Sequence, residues 1–298
     1  MLRVDFCGLF CALLVYGCIF YADYVVIRWL VYPTLVNTFW GLFHICAFNG
    51  LLGMAVLAHL RTMLSDPGIV PLCSQTISQK PKPFSRDNDD SDYSDSETEL
   101  YPAKKDSYVG EDWSICTRCQ SYRPPRAHHC RICKRCVRKM DHHCPWVNNC
   151  VGELNQKYFL QFVFYVGILA GYAFFIIALS WLYHDEKGET GMYGPNGEMA
   201  KHYKVIHTIG LSVESALFGL FVLAVSCDQM QAIFNDETVI EALQRGFNRR
   251  RRRRRGKWHL LQDVCGPSHW SLWMLPCVSL PARREFIRFA RNVRDLNV

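Results

Sequence analysis

Between Cys116 and Cys150 the chain gathers seven of its fifteen cysteines and four of its eleven histidines. The order is Cys116-x2-Cys119, then His128-His129-Cys130-x2-Cys133-x2-Cys136, then His142-His143-Cys144, and finally Cys150. Thiols two residues apart can reach one tetrahedral ion, so this segment is expected to bind zinc. It holds few large apolar residues, and bound metal would then supply much of its folding free energy. Two closed tetrahedral sites take eight ligands out of the eleven on offer. Three are left over, and spacing alone does not say which. Asp141-His142-His143-Cys144 sets a carboxylate, an imidazole and a thiol within four residues. There an imidazole can accept the thiol proton while the acid orients it, which is how a nucleophilic cysteine is activated. The same residues also read as one more metal ligand, Cys144, beside a surface acid, Asp141.

Something must hold such a cluster in place, and the rest of the sequence says what. Half of the 298 residues are apolar, yet the mean hydropathy is only −0.03, so polar and apolar residues are segregated along the chain. That pattern excludes a disordered chain and argues against a plain soluble enzyme. Phe6–Ala22 is uncharged, and after Asp23 and Arg28 apolar residues resume from Trp29 to Tyr32. Phe39–Leu60 and Tyr158–Tyr183 are also uncharged, and Val205–Cys227 carries a single acid, Glu214. A bilayer core takes about 20 apolar residues of helix, so four transmembrane helices are expected. Buried core helices are the alternative, but uncharged runs this long are rare in soluble cores. Met1–Ala22 is too long for the apolar region of a signal peptide and runs on into more membrane-like sequence. Asp23 and Glu214 read as structural hydrogen-bonding groups inside the spans.

Basic residues give the orientation. Arg61–Lys157 holds fifteen of the thirty-four Lys and Arg, and the tail after Cys227 holds fourteen. The segment Val31–Thr38 holds none, so both termini and the central loop are expected in the cytosol. Thiols stay reduced there, which favours metal over disulfides. The expected division is 1–62 for the first two helices and 63–112 for an Asp-Pro-Gly turn and acidic linker. The Cys/His domain takes 113–157, helices three and four 158–227, and a basic cytosolic tail 228–298. Ser85–Glu99 has almost nothing to bury and reads as a disordered linker whose serines could be phosphorylated. Asn235–Gln244 and Phe286–Val293 have the spacing of short amphipathic helices. The seven arginines Arg249–Arg255 read as a topology signal drawn to anionic headgroups.

Asp141-His142-His143-Cys144 sits in the frame C-x2-C-x3-RP-x-R-x2-HC-x2-C-x2-C-x4-DHHC-x5-C-x4-N-x3-F, filled here through Asn155 and Phe159. With Asp66-Pro67-Gly68 and four helices around it, the chain resembles the DHHC protein S-acyltransferases (palmitoyltransferases). DHHCPWVNNCVGELNQ and NDETVIE look closest to that family's Golgi-associated branch. The resemblance implies one structural zinc on Cys116, Cys119, His129 and Cys136, and a second on Cys130, Cys133, His143 and Cys150. His128, His142 and Cys144 then stay free. It further implies ping-pong transfer from a long-chain acyl-CoA through Cys144, with His142 as general base and Asp141 orienting it. The acyl group would pass to cysteines of cytosol-facing substrate proteins, in Golgi or endoplasmic reticulum membranes.

Arg123 and Arg126 are the candidates for CoA phosphates, with lipid headgroups the alternative. A cavity between the helices is expected to shelter the acyl chain, which costs about 0.8 kcal/mol per methylene left in water. Two positions depart from the family pattern. Val239 replaces the second Thr of a Thr-Thr-x-Glu motif at Thr238–Glu241, and Leu275 replaces the Asn of an Asn-Pro pair. Leu275 cannot make the polar contacts of Asn, which leaves the tail's docking onto the catalytic loop without that contact. A nucleic-acid-binding zinc finger would need no spans, and nucleic acid is not an expected partner. A membrane scaffold or transporter would need no free thiol.

Overall fold

The computed structural model describes residues 5–35, 38–72, 114–183, 197–244 and 255–277. The acidic linker, the arginine run up to residue 254 and the Phe286–Val293 segment lie outside the described residues. Among the described residues four helices are long and apolar enough to cross a membrane: α1 (Phe6–Leu35), α2 (Phe39–Leu64), α3 (Gln156–Leu182) and α4 (Gly197–Phe234). The chain is a helical multi-pass membrane protein with a Cys/His domain between α2 and α3.

Start signals are local. The Asp5 carboxylate accepts from the N–H groups of Cys7 and Gly8, and Thr38 Oγ1 accepts from Gly41 N at 3.3 Å. Each satisfies donors that a helix start leaves open. The helices outrun the apolar stretches. α1 continues through Asp23 and Arg28, winding as a π-helical turn over Val26–Val31. The reason is that a helix already satisfies its own backbone in lipid, and both charges find partners. Asn49 Nδ2 donates to Asp23 Oδ1 at 3.1 Å, and the Arg28 guanidinium lies 5.4 Å from the Trp29 ring. α3 packs against both α2 and α4. A β-carbon placed on Gly219 would stand 3.4 Å from Ala170 Cβ, so small residues let α3 and α4 approach closely.

The Cys/His domain is three antiparallel two-stranded hairpins: β1–β2 (Ser114–Cys116, Ser121–Arg123), β3–β4 (Ala127–Cys130, Arg135–Arg138) and β5–β6 (His142–Cys144, Asn149–Val151). Sharp turns bring Gln120, Lys134 and Asn148 into the left-handed region, at φ of 49°, 53° and 46°. Register then sets His129 opposite Cys136 and His143 opposite Cys150.

The domain is fastened to the end of α2. Asp66 Oδ1 accepts from Gly68 N and Ile69 N, both at 2.8 Å, in a turn that needs Gly68 at φ +104°. The chain then runs beside β4, with Val70 N donating to Cys136 O and Arg138 N to Gly68 O. Asn149 Nδ2 lies within 3.1 Å of the carbonyl oxygens of Thr62, Met63 and Ser65, capping the C-terminus of α2. Buried Asn155 donates to Cys150 O and Thr62 O and accepts from Gly152 N.

After α4, the expected 235–244 helix is shorter, α5 (Val239–Gln244). A reciprocal cap starts it: Thr238 N donates to Glu241 Oε2 at 2.9 Å and Glu241 N to Thr238 Oγ1 at 3.3 Å. α6 (Lys257–Cys265) leads to Trp273, whose Nε1 donates to Gly266 O. The tail docks on α3 despite Leu275, because its carbonyls do the bonding: Gln161 Nε2 donates to Trp273 O and Tyr165 OH to Met274 O, both at 2.6 Å. The polar side chain missing at position 275 is not needed for this docking. Replacing Asn155 with Ala takes the side-chain partner from Gly152 N and Cys150 O, while Thr62 O keeps Asn149, and thermal unfolding in detergent should show about 1–3 kcal/mol of lost stability.

Candidate active site

The hairpins gather eight ligand groups into two clusters. Cys116, Cys119, His129 and Cys136 form one and Cys130, Cys133, His143 and Cys150 the other, the ligand atoms of each within 4.8 Å of one another. A tetrahedron with metal–sulfur bonds of about 2.3 Å and metal–nitrogen bonds of about 2.05 Å has S···S edges of about 3.8 Å and S···N edges of about 3.6 Å. Cys136–Cys119 measures 3.8 Å and Cys150–Cys133 3.4 Å. In the second cluster His143 Nδ1 lies 3.4 to 3.7 Å from the three sulfurs. The donor sets therefore fit a four-coordinate ion with no position left for water. The β3–β4 register pairs His129 with Cys136 of one cluster, and the β5–β6 register pairs His143 with Cys150 of the other.

Cys144 belongs to neither cluster and is buried, 5 % exposed. Beside it His142 bonds Asp141 Oδ2 through Nδ1 at 2.8 Å and also hydrogen-bonds the Cys144 sulfur. Asp141 is 2 % exposed and accepts from elements far along the chain. Gln229 Nε2 of α4 donates to Oδ2 at 2.6 Å, and the Val239 N–H at the start of α5 donates to Oδ1 at 3.1 Å. Substitution of the motif's second Thr by Val thus leaves a donor at residue 239, because the bond comes from the main chain. Burial would raise the Asp141 pKa, but the His142 bond and charge, with Val239 N and Gln229, hold it below the usual carboxylate range. Burial also works against a charged His142, yet the bonds to Asp141 and Cys144 and their negative charge lift it to about 9. Such an imidazole holds a proton at neutral pH while remaining in contact with sulfur.

From Cys144 a cavity of about 320 Å³ descends between the helices. His142, Cys144 and Trp146 stand at its head, and Ile19, Val166 and Val222 line its apolar wall. On α3 the lining runs from Phe159 to Ala173, about 21 Å at a rise of about 1.5 Å per residue. The arrangement can present a thiol to a reacting carbonyl while holding an apolar chain away from water.

The two arginines part company. Arg126 is not a free cation: its Nε and Nη2 clasp the two oxygens of Glu241 at 2.7 and 2.9 Å, and Nη1 bonds Asp236 at 3.0 Å. These bonds fasten the start of α5 to the Cys/His domain and occupy the donors a phosphate would need. Among the described residues Arg123 spends only Nε, on Ser114 Oγ at 2.9 Å. The leftover His128 is pushed down in pKa by burial and by Arg123.

The DHHC palmitoyltransferase family model matches residues 110–246. Palmitoyltransferase ZDHHC7 of Mus musculus is 35% identical over 99% of this chain and 86% of its own length. Palmitoyltransferase ZDHHC3 of Homo sapiens is 34% identical over 91% and 81%, and probable protein S-acyltransferase 14 of Arabidopsis thaliana 29% identical over 77% and 70%. The chain belongs to the DHHC palmitoyltransferases and is an enzyme of that class.

Asp141→Asn removes the anion that holds the His142 proton. Because the folded pKa is raised from 6.5 to about 9, in part by Asp141, the stability gap between wild type and Asp141→Asn should be largest below pH 6.5 and shrink as pH rises through about 9. Thermal unfolding of both proteins across that range checks the sign.

Proposed function

We propose that the chain transfers a palmitoyl-type acyl group from acyl-CoA to cysteines of cytosol-facing proteins through an acyl-enzyme on Cys144. The observation that carries this reading is the position of Cys144. Of the seven cysteines in the Cys/His segment it alone stands outside both four-ligand clusters, at the mouth of an apolar cavity and bonded to His142.

In the first half-reaction the Cys144 proton already rests on His142, and the thiolate attacks the thioester carbonyl. The CoA sulfur leaves and recovers that proton from His142. In the second, His142 takes the proton of an acceptor thiol, whose sulfur attacks the acyl-enzyme carbonyl and releases Cys144. Asp141 fixes the imidazole tautomer and, held by Gln229 and Val239 N, keeps its own position. Cys116, Cys119, His129 and Cys136 would hold one zinc and Cys130, Cys133, His143 and Cys150 a second. Closed coordination makes that metal a structural brace rather than an activator of water. Arg123 remains the candidate for CoA phosphate, since Arg126 serves an internal clasp. With the basic segments in the cytosol, Cys144 faces the side where acyl-CoA and reduced thiols are found. Likeness to ZDHHC7 and ZDHHC3, together with the sequence around the DHHC motif, supports a Golgi membrane.

The test is purified protein given labelled palmitoyl-CoA. A hydroxylamine-labile label should form on Cys144, vanish in Cys144→Ser and leave bound zinc unchanged, whereas Cys133→Ala should lose zinc. Persistent labelling of Cys144→Ser, or equal zinc loss in both variants, would overturn the reading. Gln229→Leu should retain both ions but slow acyl-enzyme formation about tenfold, the scale of one lost hydrogen bond to a charged group; stopped-time labelling measures it.

A further inference from the structure

Glu214 is the one acid in the fourth apolar run, and its side chain lines the acyl cavity together with Cys18 and Ser215. Within the described residues its hydrogen-bond donor is the Cys18 thiol of α1. A thiol is a weak donor, while a carboxyl group offers several acceptor sites, so a group that lines the cavity keeps acceptor capacity beyond that one bond. Asp23, the other intramembrane acid, is different: the Asn49 amide meets it at 3.1 Å. Ionisable groups inside a span are costly and are retained where they face a cavity or a partner. Glu214 lies on the same helix as Gln229, which bonds Asp141. The offset of fifteen residues corresponds to about 22 Å along the helix axis. Between these levels the wall is apolar, with Phe218 and Val222 of α4 and Val163 and Val166 of α3. The cavity therefore has a polar head at His142 and Cys144, an apolar shaft, and a second polar level far from the reacting sulfur.

An all-methylene chain that reaches this level must set its end against a carboxyl group and leave that group's acceptors unmet. A chain with a hydroxyl near its ω-end would instead donate to Glu214. We propose that Glu214, with Ser215 and Cys18, forms a polar subsite at the cavity floor that accepts acyl chains hydroxylated near the ω-end. This rests on the proposed transfer through Cys144 and names a substrate class for it. The covalent steps are unchanged, one thioester exchanged for another, so the hydroxyl acts only through binding.

The experiment uses the full chain in detergent, offered equimolar ω-hydroxyhexadecanoyl-CoA and a mid-chain hydroxyhexadecanoyl-CoA, with the two acyl-enzymes on Cys144 counted by mass after a short pulse of differently labelled donors. Wild type should favour the ω-hydroxy chain by roughly fivefold, the worth of about one hydrogen bond. Glu214→Gln, which keeps hydrogen-bonding atoms at the floor, should retain the preference, and Glu214→Leu should abolish it while still taking hexadecanoyl-CoA. Equal use of the two isomers by wild type overturns the subsite, and so does a preference that survives in Glu214→Leu. Should Glu214→Leu fail to fold, the wild-type ratio and Glu214→Gln still decide. No acyl-enzyme on Cys144 from any donor, hexadecanoyl-CoA included, would instead sink the transfer mechanism itself.

Discussion

A carboxylate taken out of water must be met by donors, and Asp141 is where this fold is most constrained by that rule. Its two oxygens are shared among His142, Gln229 and the Val239 main chain. Those three donors come from β5, the end of α4 and the start of α5. One buried anion therefore ties the hairpin bearing the reactive cysteine to the last membrane helix and the tail. Placement of the imidazole follows, because the ring can turn only by giving up the Asp141 bond. The Arg126 clasp on Glu241 and Asp236 acts in parallel, holding α5 in place so that the Val239 N–H stays directed at Asp141.

The hairpins solve a second problem, that of a domain with little apolar core. Antiparallel register places two ligands of one cluster directly opposite, so closing a cluster and forming a ladder favour the same conformation. Agreement between levels of this kind makes a short, loop-rich segment specific. Asn149 and Asn155 extend that order into the membrane by bonding carbonyls at the end of α2. The level of Cys144 is thereby set by a helix rather than by loop flexibility.

Much of this was legible in the sequence, for physical reasons that can be named. Uncharged runs long enough to span a bilayer admit few other folds, so the four helices and their pairing were plain. Their ends were not, because Asp23 and Arg28 find partners within the membrane and α1 passes through both. The Cys/His spacing revealed metal chemistry, but dividing eleven groups between two ions depends on strand register, which spacing does not carry. Family resemblance supplied the partition that the hairpins gather. Arg126 read as a free cation since its partners lie 110 and 115 residues further on. Gln229 was missed for the same reason: an amide at the end of an apolar run gives no local hint of an acid 88 residues earlier. The tail's docking on α3 was not legible at Leu275, because it is made by the main-chain carbonyls of Trp273 and Met274, which any residue provides.

The ladder between Ile69 and Val137 has an effect on what the chain can tolerate between α2 and β1. Val70 and Cys116 pack in one small apolar group with Ala127 and Cys136, so the chain leaves the domain and re-enters it at nearly the same point. Closing a loop whose ends are already pinned together costs only about 0.6 kcal/mol more for each doubling of its length. Sequence between residues 72 and 114 can thus be lengthened, shortened or exchanged at small energetic expense. Diversification of regulatory inputs among such enzymes would meet least resistance there.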